Sequence, residues 1–264
     1  MGKAIAKFHG TLQTEEVEVN LADNMILLNQ KRVPAKTLYW EPPVSGTIYG
    51  TLLNFKGAIE KMGGALTEPP YKAAPKAPVL YIKPANTVSG HESPIPIPAG
   101  ETFLEMGASL GVVIGRRATR VTESEALDYV MGYTVVNDVS IPHESVFRPA
   151  VKYKARDGFC PIGPWVILGD EVENPDALSI RVYINNELKQ DNTTANLVRS
   201  VSKLIADVSE FMTLDEGDIL LVGVPENAPL AKNGDRVRIE ISNVGMLENV
   251  IVHEEELMSG GDGQ

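Results

Sequence analysis

A single cysteine, Cys160, stands in a chain of 264 residues. That excludes an internal disulfide framework and any zinc site built from several thiolates. Cations are also in short supply. The 24 Lys and Arg against 35 Asp and Glu leave a net charge of -11, and no basic cluster stands out. Nucleic-acid binding relies on cations that displace counterions from phosphate, so no nucleic-acid partner is expected. No apolar run approaches the roughly 18 residues of a membrane span. The opening MGKAIAKFHG lacks the apolar core of a signal peptide. The expectation is a soluble, cytoplasmic chain with no membrane partner.

Gly (23) and Pro (18) punctuate short runs of Val, Ile and Leu, the texture of a mainly β (α+β) fold with a few peripheral helices. Residues 1–43 read as a small N-terminal lobe ending at Trp40-Glu41-Pro42-Pro43, 44–255 as the main domain, and 256–264 as a flexible tail. Pro94, Pro96 and Pro98 alternate with Ile95 and Ile97, which denies a ladder every second donor and predicts an edge. Ser179 to Ile184 alternates as a strand into an Asn185-Asn186 turn. Thr122-Glu-Ser-Glu125 has the form of a capping box and predicts a helix through Ala126, Leu127 and Val130. Leu197, Val201, Leu204, Ile205, Val208 and Phe211 recur at helical spacing. The pattern gives roughly ten to fourteen strands and three helices.

Several groups are candidates for chemistry. Glu16 and Glu18, two apart on a strand, share a face and suit either Mg²⁺ or solvent; solvent is the reading adopted. His143 beside Glu144 is a surface histidine or a general base. Cys160 precedes no helix start and reads as a small buried residue. Lys152, Lys154 and Arg156 would present three cations on one face if extended, a clamp for a dicarboxylate or keto acid, or else a solvated basic strand.

Ordered motifs from Tyr81 to Val252 then resemble the fumarylacetoacetate hydrolase family. They are Ile82-Lys-Pro-Ala-Asn-Thr87, Leu110-Gly-Val-Val-Ile-Gly115, Tyr133-Thr-Val-Val-Asn-Asp138, Lys154-Ala-Arg-Asp-Gly-Phe-Cys-Pro-Ile-Gly163, Glu216-Gly-Asp218 and Leu221-Val-Gly-Val-Pro225. With Phe147-Arg-Pro-Ala150, the set is similar to the isomerase/decarboxylase branch of 4-hydroxyphenylacetate (homoprotocatechuate) degradation, in its N-terminal half. The resemblance implies a mixed β-sandwich roll. It implies decarboxylation of 5-carboxymethyl-2-oxo-hex-3-ene-1,7-dioate and isomerisation of 2-hydroxyhepta-2,4-diene-1,7-dioate. It also implies Mg²⁺ or Mn²⁺, and a homodimer or a heteromer with a paralogous subunit. Alternatives are a non-catalytic partner half, and a diketone hydrolase or keto-enol tautomerase.

Residue by residue, Asp138 matches the family's third metal ligand and Lys154 its lysine, the expected catalytic group. Arg156 and Lys152 are expected in substrate binding. The Glu-x-Glu ligand positions hold Gly107 and Ser109, so the metal site is degenerate. Both should face Asp138 if the family architecture holds, because strand side chains repeat every second residue. Glu105 lies two residues further upstream and is left out. The helix after Asn54 lacks the family's His, and Val224 replaces the Thr of its Gly-Thr-Pro motif.

Overall fold

The computed structural model describes residues 1–28, 30–143 and 150–259. Glu144 and the Phe147-Arg-Pro part of one motif lie outside them. Among the described residues two sheets dominate, and the architecture is mainly β, as expected. The larger has eleven strands. Its centre is Ala108–Ile114, buried along its whole length and flanked by Val130–Asn137 and Ile219–Leu221. Leu110, Val112 and Ile114 pack into the main core, while Val113 joins a second cluster with Ile48, Val136, Cys160 and Ile162. Burial on both faces is why this strand reads as a continuous apolar run.

Beyond Ile219–Leu221 come Ile48–Leu52 and then Val79–Lys83, which ends the sheet. Toward the other end, which is Lys31–Pro34, Gly2–Phe8 pairs with Trp165–Leu168, with Ala4 opposite Ile167. The expected N-terminal lobe is thus hydrogen-bonded into the same sheet as the main domain. In Glu15–Asn20, Glu16 and Glu18 are exposed and Val17 and Val19 buried, the solvated face expected of them.

The second sheet holds five strands, Glu187–Thr193, Ser179–Ile184, Arg236–Ile241, Gly245–His253 and Ile95–Ile97. Ile180, Val182 and Ile184 point inward from the alternating strand. Asn185 and Asn186 turn it with φ of 52° and 67°, the left-handed pair that a two-residue hairpin demands. The proline arm is the edge strand of this sheet, with Ile95 and Ile97 fully buried.

Helices cover the outside. Val201–Phe211 is capped by Ser200, whose Oγ accepts from Lys203 N at 3.1 Å, and buries Val201, Leu204, Ile205 and Val208. Phe211, expected on that apolar face, is exposed. The helix expected after Thr122 is reduced to one 3-10 turn, Ala126–Tyr129, because Val130 already belongs to a strand paired on both sides. Tertiary pairing overrides the local cap. Among the described residues, twenty strands, several of two or three residues, exceed the number expected, since such short pairings carry no readable period. No helix among the described residues is long and apolar enough to cross a membrane.

Candidate active site

The site grows from the lower end of the central ladder. Ser109 lies opposite Val136. Two residues on, Asp138 N donates to Gly107 O at 2.8 Å. Glu105 and Ser140 then exchange backbone hydrogen bonds at 2.8 and 3.2 Å. The register is unbroken, so Glu105, Gly107 and Ser109 share one face with Ser140, Asp138 and Val136. The expected face therefore looks toward Asp138, and Glu105 belongs to it.

On the edge strand, Tyr81 and Lys83 are also two residues apart and reach the same carboxylate. Tyr81 crosses over Gly50, where an added Cβ would sit 2.1 Å from the phenol ring. Only glycine leaves the ring room to lie there. Its hydroxyl hydrogen-bonds Asp138 Oδ2. Lys154 closes the group from the single helical turn Val151–Lys154, its Nζ donating to Asp138 Oδ2 at 2.8 Å and standing 5.0 Å over the Tyr81 ring. Lys83 Nζ stands 3.0 Å from Oδ1. It is close enough for an ion pair but off the line of a hydrogen bond to that atom. Its hydrogen bonds run to the carbonyls of Lys154 (2.8 Å) and Val139 (3.2 Å).

Burial by itself pushes the Asp138 carboxyl up. Lys154 and Lys83, with hydrogen bonds from Lys154 and Tyr81, overcome it and hold the group well below the usual carboxylate range. Burial, then the Asp138 charge, drives the Tyr81 phenol well above its usual 10.0. Unpaired, any of these charges would be prohibitively costly in a dry interior. Two cations to one anion leave the knot with an excess positive charge. Lys83 and Asp138 are fully enclosed, whereas the Lys154 side chain keeps 11% exposure. The excess is presented through Lys154.

It is presented to a cavity of about 610 Å³ lined by Tyr81, Glu105, Gly107, Asp138, Ser140, His143 and Lys154. The roof is the segment after Ile48–Leu52 and the helix Lys56–Met62, with Lys61 and Val224. Asn54 pins that segment through hydrogen bonds from Nδ2 to the carbonyls of Val222 (2.9 Å) and Arg199 (3.2 Å). Thr51 also lines the cavity, with its buried hydroxyl unpartnered. The Glu105 carboxyl is raised, first by burial; Lys154 and His143 pull against that and the Asp138 charge adds to it.

Of the expected residues, Asp138 and Lys154 meet in one ion pair. Lys152 and Arg156 do not join them. Residues 151–154 are helical, so side chains two apart diverge instead of aligning. Arg156 Nε instead donates to the Lys152 carbonyl at the surface, at 3.1 Å. The three-cation face of an extended strand is corrected accordingly. His143, a surface histidine or a general base by sequence, lines the cavity, stacked 5.0 Å over Tyr153. Cys160 is fully buried, and burial pushes its thiol up to about 12. Sequence reasoning missed Lys83, Tyr81 and Glu105 as site residues. Only Glu105 carried a local signal, its two-residue spacing from Gly107; Tyr81 and Lys83 meet Asp138 across the sheet.

Residues 47–252 match the profile described as Fumarylacetoacetate (FAA) hydrolase C-terminal. The chain belongs to the fumarylacetoacetate hydrolase family of enzymes. Among its relatives is the 4-hydroxyphenylacetate degradation bifunctional isomerase/decarboxylase of Escherichia coli, 43% identical over 81% of this chain and 49% of that protein. The chain thus spans about half the length of the curated relatives of this type that it matches. In fold it is similar to 5-carboxymethyl-2-hydroxymuconate delta-isomerase from Mycobacterium smegmatis, with TM-score 0.78 and 25% identity over 95% of this chain and 99% of that one. It also shares its fold with maleylpyruvate hydrolase from Sphingobium sp. SYK-6, solved with manganese(II) and pyruvate, with TM-score 0.75 and 24% identity over 95% and 99% of the two chains.

Magnesium and manganese ions are held chiefly by carboxylate and other oxygen ligands, and the residues here do not fit one. No group of three His, Cys, Asp or Glu suited to a metal exists among the described residues. Gly107 has no side chain. Ser109 Oγ is fully buried and directed to the carbonyl of Leu110, at 3.4 Å. Both oxygens of Asp138 face lysine ammonium groups.

Proposed function

We propose that this chain is a subunit of the isomerase/decarboxylase of 4-hydroxyphenylacetate catabolism, binding 2-oxo dicarboxylates in the Lys154 cavity. Its substrates would be 5-carboxymethyl-2-oxo-hex-3-ene-1,7-dioate for decarboxylation and 2-hydroxyhepta-2,4-diene-1,7-dioate for isomerisation. The observation that carries the reading is the fixed ammonium of Lys154 facing the same cavity as the half-buried Glu105 carboxyl. The first draws a carboxylate or keto oxygen; the second trades a proton.

In isomerisation, the 2-hydroxyl of the dienol gives up its proton and Lys154 stabilises the negative charge on that oxygen. The electron pair of the enolate moves along the diene as the keto group forms, and the Glu105 carboxyl delivers a proton to the far carbon of the diene, shifting the double bond with no net change in atoms. In decarboxylation the breaking C–C bond supplies the electron pair, CO₂ leaves, and a proton replaces it. Asp138 and Lys83 hold Lys154 in place. The relatives named above, and the match of both Asp138 and Lys154 to the family motifs, support this assignment.

A second reading, a non-catalytic half completed by a paralogous subunit, is favoured by Gly107 and Ser109 in the ligand positions. Turnover separates the two. The purified chain, mixed with 2-hydroxyhepta-2,4-diene-1,7-dioate, should bleach the dienol absorbance, and Lys154→Gln should reduce kcat at least about a hundredfold. An inert chain that becomes active only with a metal-competent paralogue would establish the second reading.

A further inference from the structure

We infer that this chain takes its anionic ligand without a divalent ion, the Lys83–Asp138–Lys154 bridge providing the fixed positive charge. The inference rests on the cavity being an oxo-acid site, as proposed above. Three independent observations carry it.

First, the carboxylate that would serve as a ligand is already neutralised. Lys154 Nζ lies 2.8 Å from one oxygen and Lys83 Nζ 3.0 Å from the other, with the Tyr81 hydroxyl on the first. An ion seated on Asp138 would have to displace these donors and would face two ammonium groups at close range.

Second, the backbone has closed over the neighbouring ligand position. A Cβ on Gly107 would lie 2.4 Å from the Asp138 carbonyl oxygen and 3.0 Å from Val224 Cγ2. A glutamate there cannot be accommodated without moving the strand or Val224. The glycine is therefore part of how the ladder packs, and adding carboxylates at 107 and 109 does not recreate a metal site.

Third, the lysines are built in. Lys83 spends its other donors on two backbone carbonyls, fixing it within the Asp138 and Lys154 corner. A cation anchored this way needs no reorganisation when an anion arrives, the condition under which electrostatic stabilisation is most effective. Lys154, the member with access to the cavity, can donate to a ligand carboxylate while keeping Asp138.

The test uses the full chain with two probes, Mn²⁺ alone and oxalate, a planar mimic of a 2-oxo-acid enolate. Paramagnetic resonance of free Mn²⁺ reads metal binding. Calorimetry reads oxalate affinity, once in EDTA and once with Mn²⁺. The expected result is no protein-dependent loss of the free Mn²⁺ signal at equimolar submillimolar concentrations. Oxalate should bind with the same Kd in both buffers, weakened at least about tenfold by Lys154→Gln. Lys154→Arg, which keeps the charge, serves as the second variant, and thermal unfolding checks that both fold. Stoichiometric Mn²⁺ binding that Asp138→Asn abolishes would overturn the inference. So would oxalate binding that needs Mn²⁺, or none in either buffer. Oxalate binding in EDTA without turnover of the dienol sinks the catalytic reading alone.

Discussion

Two clusters of charge sit on this fold at different depths. On the five-stranded sheet, Arg236 bridges Glu248 at 2.5 Å and Glu92 at 3.2 Å, with its side chain 48% exposed. At the cavity floor, Lys83, Asp138 and Lys154 make ion pairs of similar length with almost no solvent. Water screens the first and substitutes for any partner it loses, so such a bridge contributes little. Nothing screens the second. A dry trio is costly unless complete, and well-packed apolar residues often do as well for stability. Distance alone does not separate the clusters; burial beside a cavity does.

The largest difference should appear on removing one cation from each. Lys83→Met leaves Asp138 short of a partner in the dry site and should cost about 3–5 kcal/mol in urea unfolding. The surface counterpart, Arg236→Ala, belongs at the bottom of the scale, at less than about 1 kcal/mol and shrinking with added salt. Equal losses would erase the distinction between the clusters.

Next in size is a pH effect beside the surface cluster. His91 is buried and accepts a hydrogen bond from Glu248 N at 3.1 Å. Burial, opposed by Glu248 and aided by Arg236, pulls it from its usual 6.5 down to about 4. The unfolded chain therefore takes the proton first as pH falls. Stability from this group is fully present above about 6.5 and is lost as pH drops toward 4, by roughly 2–3 kcal/mol. Unfolding series at several pH values should show that slope, and His91→Asn should flatten it.

A smaller change is expected at the end of the ladder. Gly107→Ala forces a methyl into the space of the Asp138 carbonyl and should destabilise by about 1–3 kcal/mol. A neutral result in the same unfolding assay would show that the strand end yields easily, and would weaken the case for a closed ligand position.

Much of this was legible in the sequence, and the gaps have physical reasons. The strand Ser179–Ile184 with its Asn-Asn turn, and the proline-bearing edge, follow from alternation and from missing donors. Asp138 and Lys154 stand out in the sequence because their flanking motifs are distinctive. Lys83 lay in a quoted motif but received no role, since its partner is 55 residues away and no local pattern encodes an ion pair across a sheet. Glu105 was set aside as too far upstream; the ladder continuing through Ser140 puts it one step along the same face. The orientation of Lys152 and Arg156 is not legible, because a four-residue helical turn carries too little period to read.

The most direct test is a crystal structure of the chain grown with oxalate and Mn²⁺, with data collected at the manganese edge. The account predicts oxalate within hydrogen-bond reach of Lys154 Nζ, the Lys83–Asp138–Lys154 bridge intact, and no anomalous peak beside Asp138. A manganese ion bound to Asp138, with the lysines displaced and oxalate chelating the metal, would contradict it.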